Sequence, residues 1–367
     1  MKNILMCFFF VLLFTGVIFS SVSSLENYIE RQMEKGDIPA LSILITENSN
    51  ILYQECFGMA DIERHITLNK DHMFLIASIS KVVTATALMQ LYDKGYFDLD
   101  DPVNHYLGFN VKNPVYNEPI TFRMLLTHTS SIADGSAMDD QYYYGKDSPV
   151  ALKTYLKQYF TPGLKYYDDY ENFYDYKPGE DFEYSNTGSA LIALLVESIS
   201  GQDFNTYCRE KIFKPLNMLN SHWKLSEINT REIVRPYDYD LEPLEHYTFT
   251  DYPNGGLRTT ANDLFKLMAA YVNRGSYNGY RLLKKDTVDM MLSPQIKAID
   301  PSVGLHFFRM NIRYDLWGHD GGEEGVSTMM AFNRDKGIGV IILTNMSDVN
   351  LNDILVKAFQ TGIELSE

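Results

Sequence analysis

The chain has 367 residues, 45% hydrophobic and 22% charged, which is enough to build a large core and excludes a disordered or fibrous protein. A formal net charge of -16 argues against nucleic acid and anionic membrane as partners, since both would repel it at long range. The 8 histidines and 3 cysteines show no metal-ligand spacing, so no metal is expected.

Residues 1–24 read as an export signal, with Lys2 as the basic start, an apolar run from Ile4 to Phe19 and small residues from Ser20 to Ser24. The run is short for a membrane span and no Lys or Arg cluster follows it; an uncleaved anchor is the alternative. The expected product is a periplasmic or secreted protein. Once the signal is removed Cys56 and Cys208 remain, and both read as ordinary core positions rather than a disulfide.

The mature chain opens with an expected helix from Leu25 to Lys35. A hairpin follows, ALSILITE from Ala40 to Glu47 and ILYQECFG from Ile51, turning at Asn48 to Asn50. Two strands are marginal alone. Further strand-like runs appear only near the far end, at Gly304 to Arg313, Gly325 to Asn333 and Gly337 to Thr344, before a closing helix from Leu351 to Gln360. The economical arrangement is one antiparallel sheet built from residues 25–77 and 296–367, with 78–295 inserted as a mostly helical domain and a cleft between the two.

Within that insertion the stretch Phe74 to Gly95, FLIASISKVVTATALMQLYDKG, is too apolar for a surface helix and reads as one passing through the core. Ser78 then sits near its N-terminus, and Lys81, three residues on, shares its face. A serine hydroxyl beside a buried lysine is the geometry of a nucleophile with its base, because desolvation lowers a lysine pKa. Ser-x-x-Lys also arises by chance about once in a chain this long, so its weight depends on what else is present.

Helical signals recur at Phe122 to Leu126, Pro149 to Gln158, Ser189 to Ser198 and from Phe204, and Thr260-Ala-Asn-Asp263 has capping-box form. The stretch from Ile132 to Glu180 is long and tyrosine-rich, and its acidic part from Tyr166 to Tyr176 reads either as the lip of a cleft or as a loop packed on the helices. Two later stretches can complete the serine-lysine pair. Tyr184-Ser-Asn186, in an extended turn ahead of a helix, offers a phenol and an amide on one side. Trp317-Gly-His319-Asp-Gly321-Gly322 reads as a glycine-rich turn at the head of the strand from Gly325, where a backbone N–H can approach a ligand closely.

With these motifs in order, the chain resembles the penicillin-recognising serine hydrolases, in the branch of class C β-lactamases, DD-carboxypeptidases, D-aminopeptidases and β-lactamase-like esterases. The resemblance rests on Ser78-Ile-Ser-Lys81, Tyr184-Ser-Asn186 and His319-Asp-Gly321, the last standing where other members have Lys-Thr-Gly, and on ITFRMLLTHTS, GGLRTTANDL and GIGVIILTN around them. It covers essentially the whole mature chain. Two departures stand out: Ser131 replaces the glycine that usually ends the His128 loop, and His319 with Asp320 weakens the usual grip on a substrate carboxylate.

The resemblance implies an α/β (α+β) fold with an antiparallel sheet, flanking helices and an inserted helical domain. It implies Ser78 as acylated nucleophile, Lys81 as its proton acceptor and Tyr184 as relay. Asn186, His319 and Gly321 would bind substrate, and the N–H groups of Ser78 and Gly322 would form the oxyanion hole. The expected activity is hydrolysis of a small ester or a D-amino-acid peptide or amide without a cofactor. A class C-like β-lactamase and a catalytically silent binding or self-assembling relative are the alternatives. Oligomeric state stays open.

Overall fold

The hairpin forms as expected: Ala40–Glu47 (β1) is buried almost throughout and pairs with Asn50–Asp61 (β2) in antiparallel register. In the computed structural model, which describes residues 20–367, these strands join Ile66–Thr67 (β3), Phe308–Asn311 (β4), Asp315–Glu323 (β5), Val326–Asn333 (β6) and Ile338–Thr344 (β7). The 7-stranded sheet runs β4-β5-β6-β7-β1-β2-β3. The two ends of the chain meet where β1 pairs with β7, from Leu41 opposite Thr344 to Glu47 opposite Ile338. Central strands buried on both faces read as continuous apolar runs, which is why both were legible.

Side-chain alternation divides the sheet between two layers. Leu41, Ile43, Ile45, Val340 and Ile342 pack against Leu25 and Ile29 of the helix over residues 20–35 (α1) and against Ile354, Leu355 and Phe359 of the C-terminal helix. Leu44, Ile341 and Leu343 join the main core with Val82 and Leu88 of Ser80–Tyr92 (α2), Leu191 and Leu195 of Asn186–Ser200 (α3) and Leu264 and Met268 of Ala261–Val272 (α4). Each such side chain contributes about 1.5–3 kcal/mol on burial. The C-terminal helix, Asn352–Ser366, is α5. Although α4 falls in the segment expected to be the helical insertion, it lies against the sheet strands β1, β6 and β7. Thr260 caps it by accepting from the Asp263 N–H at 3.1 Å, as the capping pattern indicates.

Three boundaries differ from the sequence reading. Helix α2 begins at Ser80; Phe74–Leu75 instead pairs with Arg258–Thr259 in a short ladder, and Ala77–Ile79 forms a 3-10 turn. Helix α3 starts at Asn186, three residues earlier than expected, with Ser185 as its cap. The Trp317–Gly322 stretch is not a turn but the body of β5, paired with β6 throughout and with β4 as far as Gly318. Three glycines and Asp320 suppressed its strand signal. Most of the expected export signal, residues 1–19, lies outside the described residues, and residues 20–24 are helical. Among the described residues no helix is long and apolar enough to cross a membrane, and Cys56 and Cys208 are free thiols.

Candidate active site

Ser78 lies in the Ala77–Ile79 turn, where Ala77 has φ 45, a left-handed conformation unfavourable for a residue with a side chain. Neighbouring groups hold it there. The Ile76 N–H donates to the Leu257 carbonyl at 2.9 Å, and the Thr328 hydroxyl donates to the Ile76 carbonyl at 2.9 Å. Strand β5 packs directly on this turn because Gly321 has no side chain: a Cβ there would lie 2.5 Å from the Ile76 oxygen and 2.5 Å from Thr328 Oγ1. Position 322 differs, since a Cβ would meet nothing within 4 Å.

Lys81, on the first turn of α2, is fully buried. Its Nζ has three oxygen neighbours, Ser78 Oγ at 3.0 Å, Asn186 Oδ1 at 2.7 Å and the Asn254 carbonyl at 2.7 Å. Burial pushes its pKa down to about 7, against the opposing pull of Asp134, Asp251, Glu323 and Asp320. Two of the three neighbours can only accept hydrogen bonds. In the neutral amine both N–H bonds are therefore directed to the asparagine oxygens, which leaves the nitrogen lone pair facing the one neighbour that carries a proton, the Ser78 hydroxyl.

Tyr184 closes the other side. Its ring lies 4.9 Å from Lys81 Nζ and stacks on His128 at 4.3 Å between centroids. The hydroxyl is buried without a hydrogen-bond partner, and burial raises its pKa. His128 accepts the Ser185 N–H on Nδ1 at 3.1 Å, so its proton sits on Nε2. Ser131, standing where related sequences carry glycine, takes the left-handed conformation itself at φ 58, and Asn113 donates to its hydroxyl at 3.0 Å. The loop keeps its turn despite the substitution.

His319, on β5, is 2% exposed, and its Nδ1 lies 2.6 Å from the Asp320 carbonyl. Burial and the nearby Lys81 charge push its pKa down to about 4, so the ring is neutral at pH 7. It makes no hydrogen bond to Tyr184: the ring centroids are 6.3 Å apart and Nε2 has no partner.

A cleft of about 420 Å³ opens above these groups, reached by Ser78, Tyr184, His319 and Gly322, while Lys81 and Asn186 lie beneath. Phe182 and Phe308 form its apolar wall, and Asp300 and Asp320 are its charged groups. The acidic Tyr166 to Tyr176 stretch does not form the lip. It packs on the helix Leu152–Phe160 through Tyr155 with Tyr166 at 5.4 Å and Phe160 with Phe173 at 6.0 Å. Arg258 is buried and bonded to the carbonyls of Gly256 and Tyr247, and Arg313 lies over Tyr314, so neither supplies a cation to the cleft. A larger cavity of about 540 Å³, bordered by Lys153, Glu197 and Trp223, shares none of these groups.

The sequence reading missed Asp134, Asp251 and Asn254. Asp134 accepts the N–H of Asn186 at 2.9 Å and of Thr187 at 2.8 Å, and Asp251 accepts the side-chain amide of Asn254 at 2.7 Å. Only Asn254 carried a cue, its place directly before Gly255-Gly256 in a stretch already marked by resemblance.

Comparison with known proteins agrees with this architecture. The chain is 23% identical over 332 residues to protein flp of Staphylococcus aureus, an alignment covering 89% of this chain but 64% of that protein's length. It superposes on the octameric penicillin-binding protein homologue from Pyrococcus abyssi with a TM-score of 0.76 at 24% identity, covering 94% of this chain and 78% of that one. EstCE1, described as a hydrolase with promiscuous acyltransferase activity, gives 0.73 at 16% identity over 95% and 98% of the two chains. The family described as Beta-lactamase matches residues 25–356, nearly the whole described chain, and the protein belongs to that family of serine hydrolase-like folds.

Proposed function

We propose that the protein is an exported serine hydrolase that cleaves a small ester, or a D-amino-acid peptide or amide, through an acyl-enzyme on Ser78. The observation that carries this reading is the fully buried Lys81 amine, 3.0 Å from Ser78 Oγ, with its pKa lowered to about 7. Near neutral pH a large fraction of the amine is free to take the serine proton.

In the first half-reaction Ser78 Oγ attacks the substrate carbonyl carbon as its proton passes to Lys81. The developing oxyanion is met by the N–H groups of Ser78 and Gly322, and the open space at position 322 leaves room for it. The proton then reaches the leaving alcohol or amine through Tyr184, whose raised pKa suits it to carry a proton rather than lose one permanently. In the second half-reaction Tyr184, backed by Lys81, takes a proton from water as it attacks the acyl carbonyl, and the proton passes to Ser78 Oγ as its bond to the acyl carbon breaks, releasing the carboxylic acid and restoring the serine. His319, neutral, offers Nε2 to substrate on the cleft side. Gly321 acts by letting β5 lie against the nucleophile turn, and Asn186 by orienting Lys81.

The cleft's charged residues, Asp300 and Asp320, favour a neutral or amine-bearing substrate over an anionic one, which ranks a β-lactamase role second. Intact-mass spectrometry after exposure to p-nitrophenyl esters, D-alanyl amides and a cephalosporin tests the reading. A transient acyl adduct on Ser78 with ester or amide turnover is expected. Turnover that persists in Ser78→Ala would overturn it.

A further inference from the structure

Lys81 is held from two sides by the same device. On one side the acceptor is the Asn186 side chain, whose residue begins α3 and whose own N–H is fixed by the Asp134 carboxylate at 2.9 Å. On the other side the acceptor is the Asn254 carbonyl, whose residue is anchored by its side-chain amide to Asp251 Oδ2 at 2.7 Å and to the Asp251 carbonyl at 2.9 Å. Neither carboxylate forms an ion pair with the lysine within 4.0 Å, yet both are among the charges it feels, Asp134 most strongly. Asp251 is 1% exposed, a costly place for a carboxyl with no cation in contact. Capping alone accounts for Asp134. It leaves unexplained why a second acid is buried beneath a one-turn segment, Tyr252–Asn254, whose carbonyl touches the lysine.

We propose that Asp134 and Asp251 are positioning residues for Lys81, each fixing an asparagine oxygen so that the lysine lone pair points at Ser78 Oγ. The proposal rests on the Ser78 acyl-enzyme reading for its catalytic consequence, but not for its effect on Lys81 itself. Directionality comes from the asparagine acceptors, which occupy both N–H bonds of the neutral amine. The carboxylates add a second effect, because their negative charge favours the ammonium form and so sets the pH at which the lone pair becomes free. The groups facing Lys81 are the carboxyls of Asp134, Asp251, Glu323 and Asp320, the imidazoles of His128, His306 and His319, and the Tyr184 phenol. Burial keeps the three imidazoles neutral near pH 7, and it raises the Asp251 carboxyl to about 7, so Asp251 is only partly charged there and Asp134 supplies the larger attraction.

The test titrates Lys81 directly, by 13Cε-lysine NMR of the full chain, with its signal identified by loss in Lys81→Met. Asp134→Asn is expected to lower the Lys81 midpoint by about one unit, because it removes an attracting negative charge, and Asp251→Asn to move it the same way by less, because burial leaves that carboxyl only partly charged near pH 7. Acylation of Ser78 by a fluorophosphonate, measured at a pH where Lys81 is neutral, is expected to slow roughly 10- to 100-fold in Asp251→Ala and Asn254→Ala. Those two losses should be strongly non-additive, since both break one contact. If Asp251→Asn does not fold, the half-buried Asp134→Asn still decides. Unchanged Lys81 midpoints in the folded variants would overturn the inference whatever the activity. A wild-type protein unlabelled at Ser78 would instead overturn the acyl-enzyme reading and leave the titration to judge the lysine environment.

Discussion

Lys81 Nζ lies 3.0 Å from Ser78 Oγ across one turn of chain, and the lysine is completely buried while the serine reaches the cleft. In the proposed mechanism the pair is a single proton-transfer unit. Ser78→Ala and Lys81→Ala are each expected to lower kcat by at least roughly 10³-fold with the fold retained, and the double variant to lose little more than either one. Circular dichroism with steady-state kinetics checks this; additive losses would separate the two residues into independent roles.

Much of this pairing was legible in the sequence, and the reason is physical. Helix α2 is buried all round, so its apolar run was continuous and the three-residue spacing of Ser78 and Lys81 could be read as one face. The central strands β1 and β7, from the two chain ends, were legible for the same reason. Strand β5 was not, because Gly318, Gly321 and Gly322 serve close packing and cleft access rather than strand propensity. Asp134, Asp251 and Asn254 were hidden because their place at the site depends on contacts across long sequence separations: Lys81 and Asn254 are 173 residues apart. A solvated acid and a buried one look alike in sequence.

Tyr184→Phe keeps the ring that stacks on His128 at 4.3 Å and removes only the hydroxyl. Since that hydroxyl has no hydrogen-bond partner to lose, the fold should be unaffected. We expect kcat to fall roughly 10²- to 10⁴-fold, the range for a positioned acid-base group. A wild-type rate in this variant would mean that Lys81 manages both proton transfers alone.

The Lys81 pKa of about 7 has two consequences of definite sign. The proposed mechanism requires the neutral amine, so kcat/KM for an uncharged ester should rise with pH through about 7 and then level off. Stability follows by linkage. The folded pKa is depressed below the unfolded lysine value of 10.5, so between about 7 and 10.5 the unfolded state binds more protons and Lys81 costs the fold progressively less as pH rises. The unfolding free energy of wild type relative to Lys81→Met should therefore increase by on the order of 1 kcal/mol per pH unit across that window and stay flat below it. Urea unfolding at pH 6, 7, 8 and 9 measures the difference; a slope of opposite sign would place the charged lysine as the stable buried form.

The charge of the cleft predicts which substrates the proposed hydrolase refuses. Its charged groups are Asp300 and Asp320, and the Asp320 side chain is 71% exposed at the mouth beside a neutral His319. Neither Arg258 nor Arg313 reaches it. A penicillin or a DD-peptide brings a carboxylate into this space, where it meets like charge and no fixed cation, whereas a neutral ester or a peptide with a free amine meets no such barrier. We expect kcat/KM for neutral or cationic esters and amides to exceed that for benzylpenicillin by at least roughly 10²-fold, equivalent to about 3 kcal/mol in the barrier. Asp320→Lys supplies the missing cation at an exposed position and should narrow that gap roughly tenfold or more, by raising the penicillin value more than it changes the ester value. The narrowing should weaken at high salt, since the side chain is screened. Benzylpenicillin hydrolysis by wild type as fast as that of the best uncharged ester would overturn the charge argument and promote a β-lactamase role to first place.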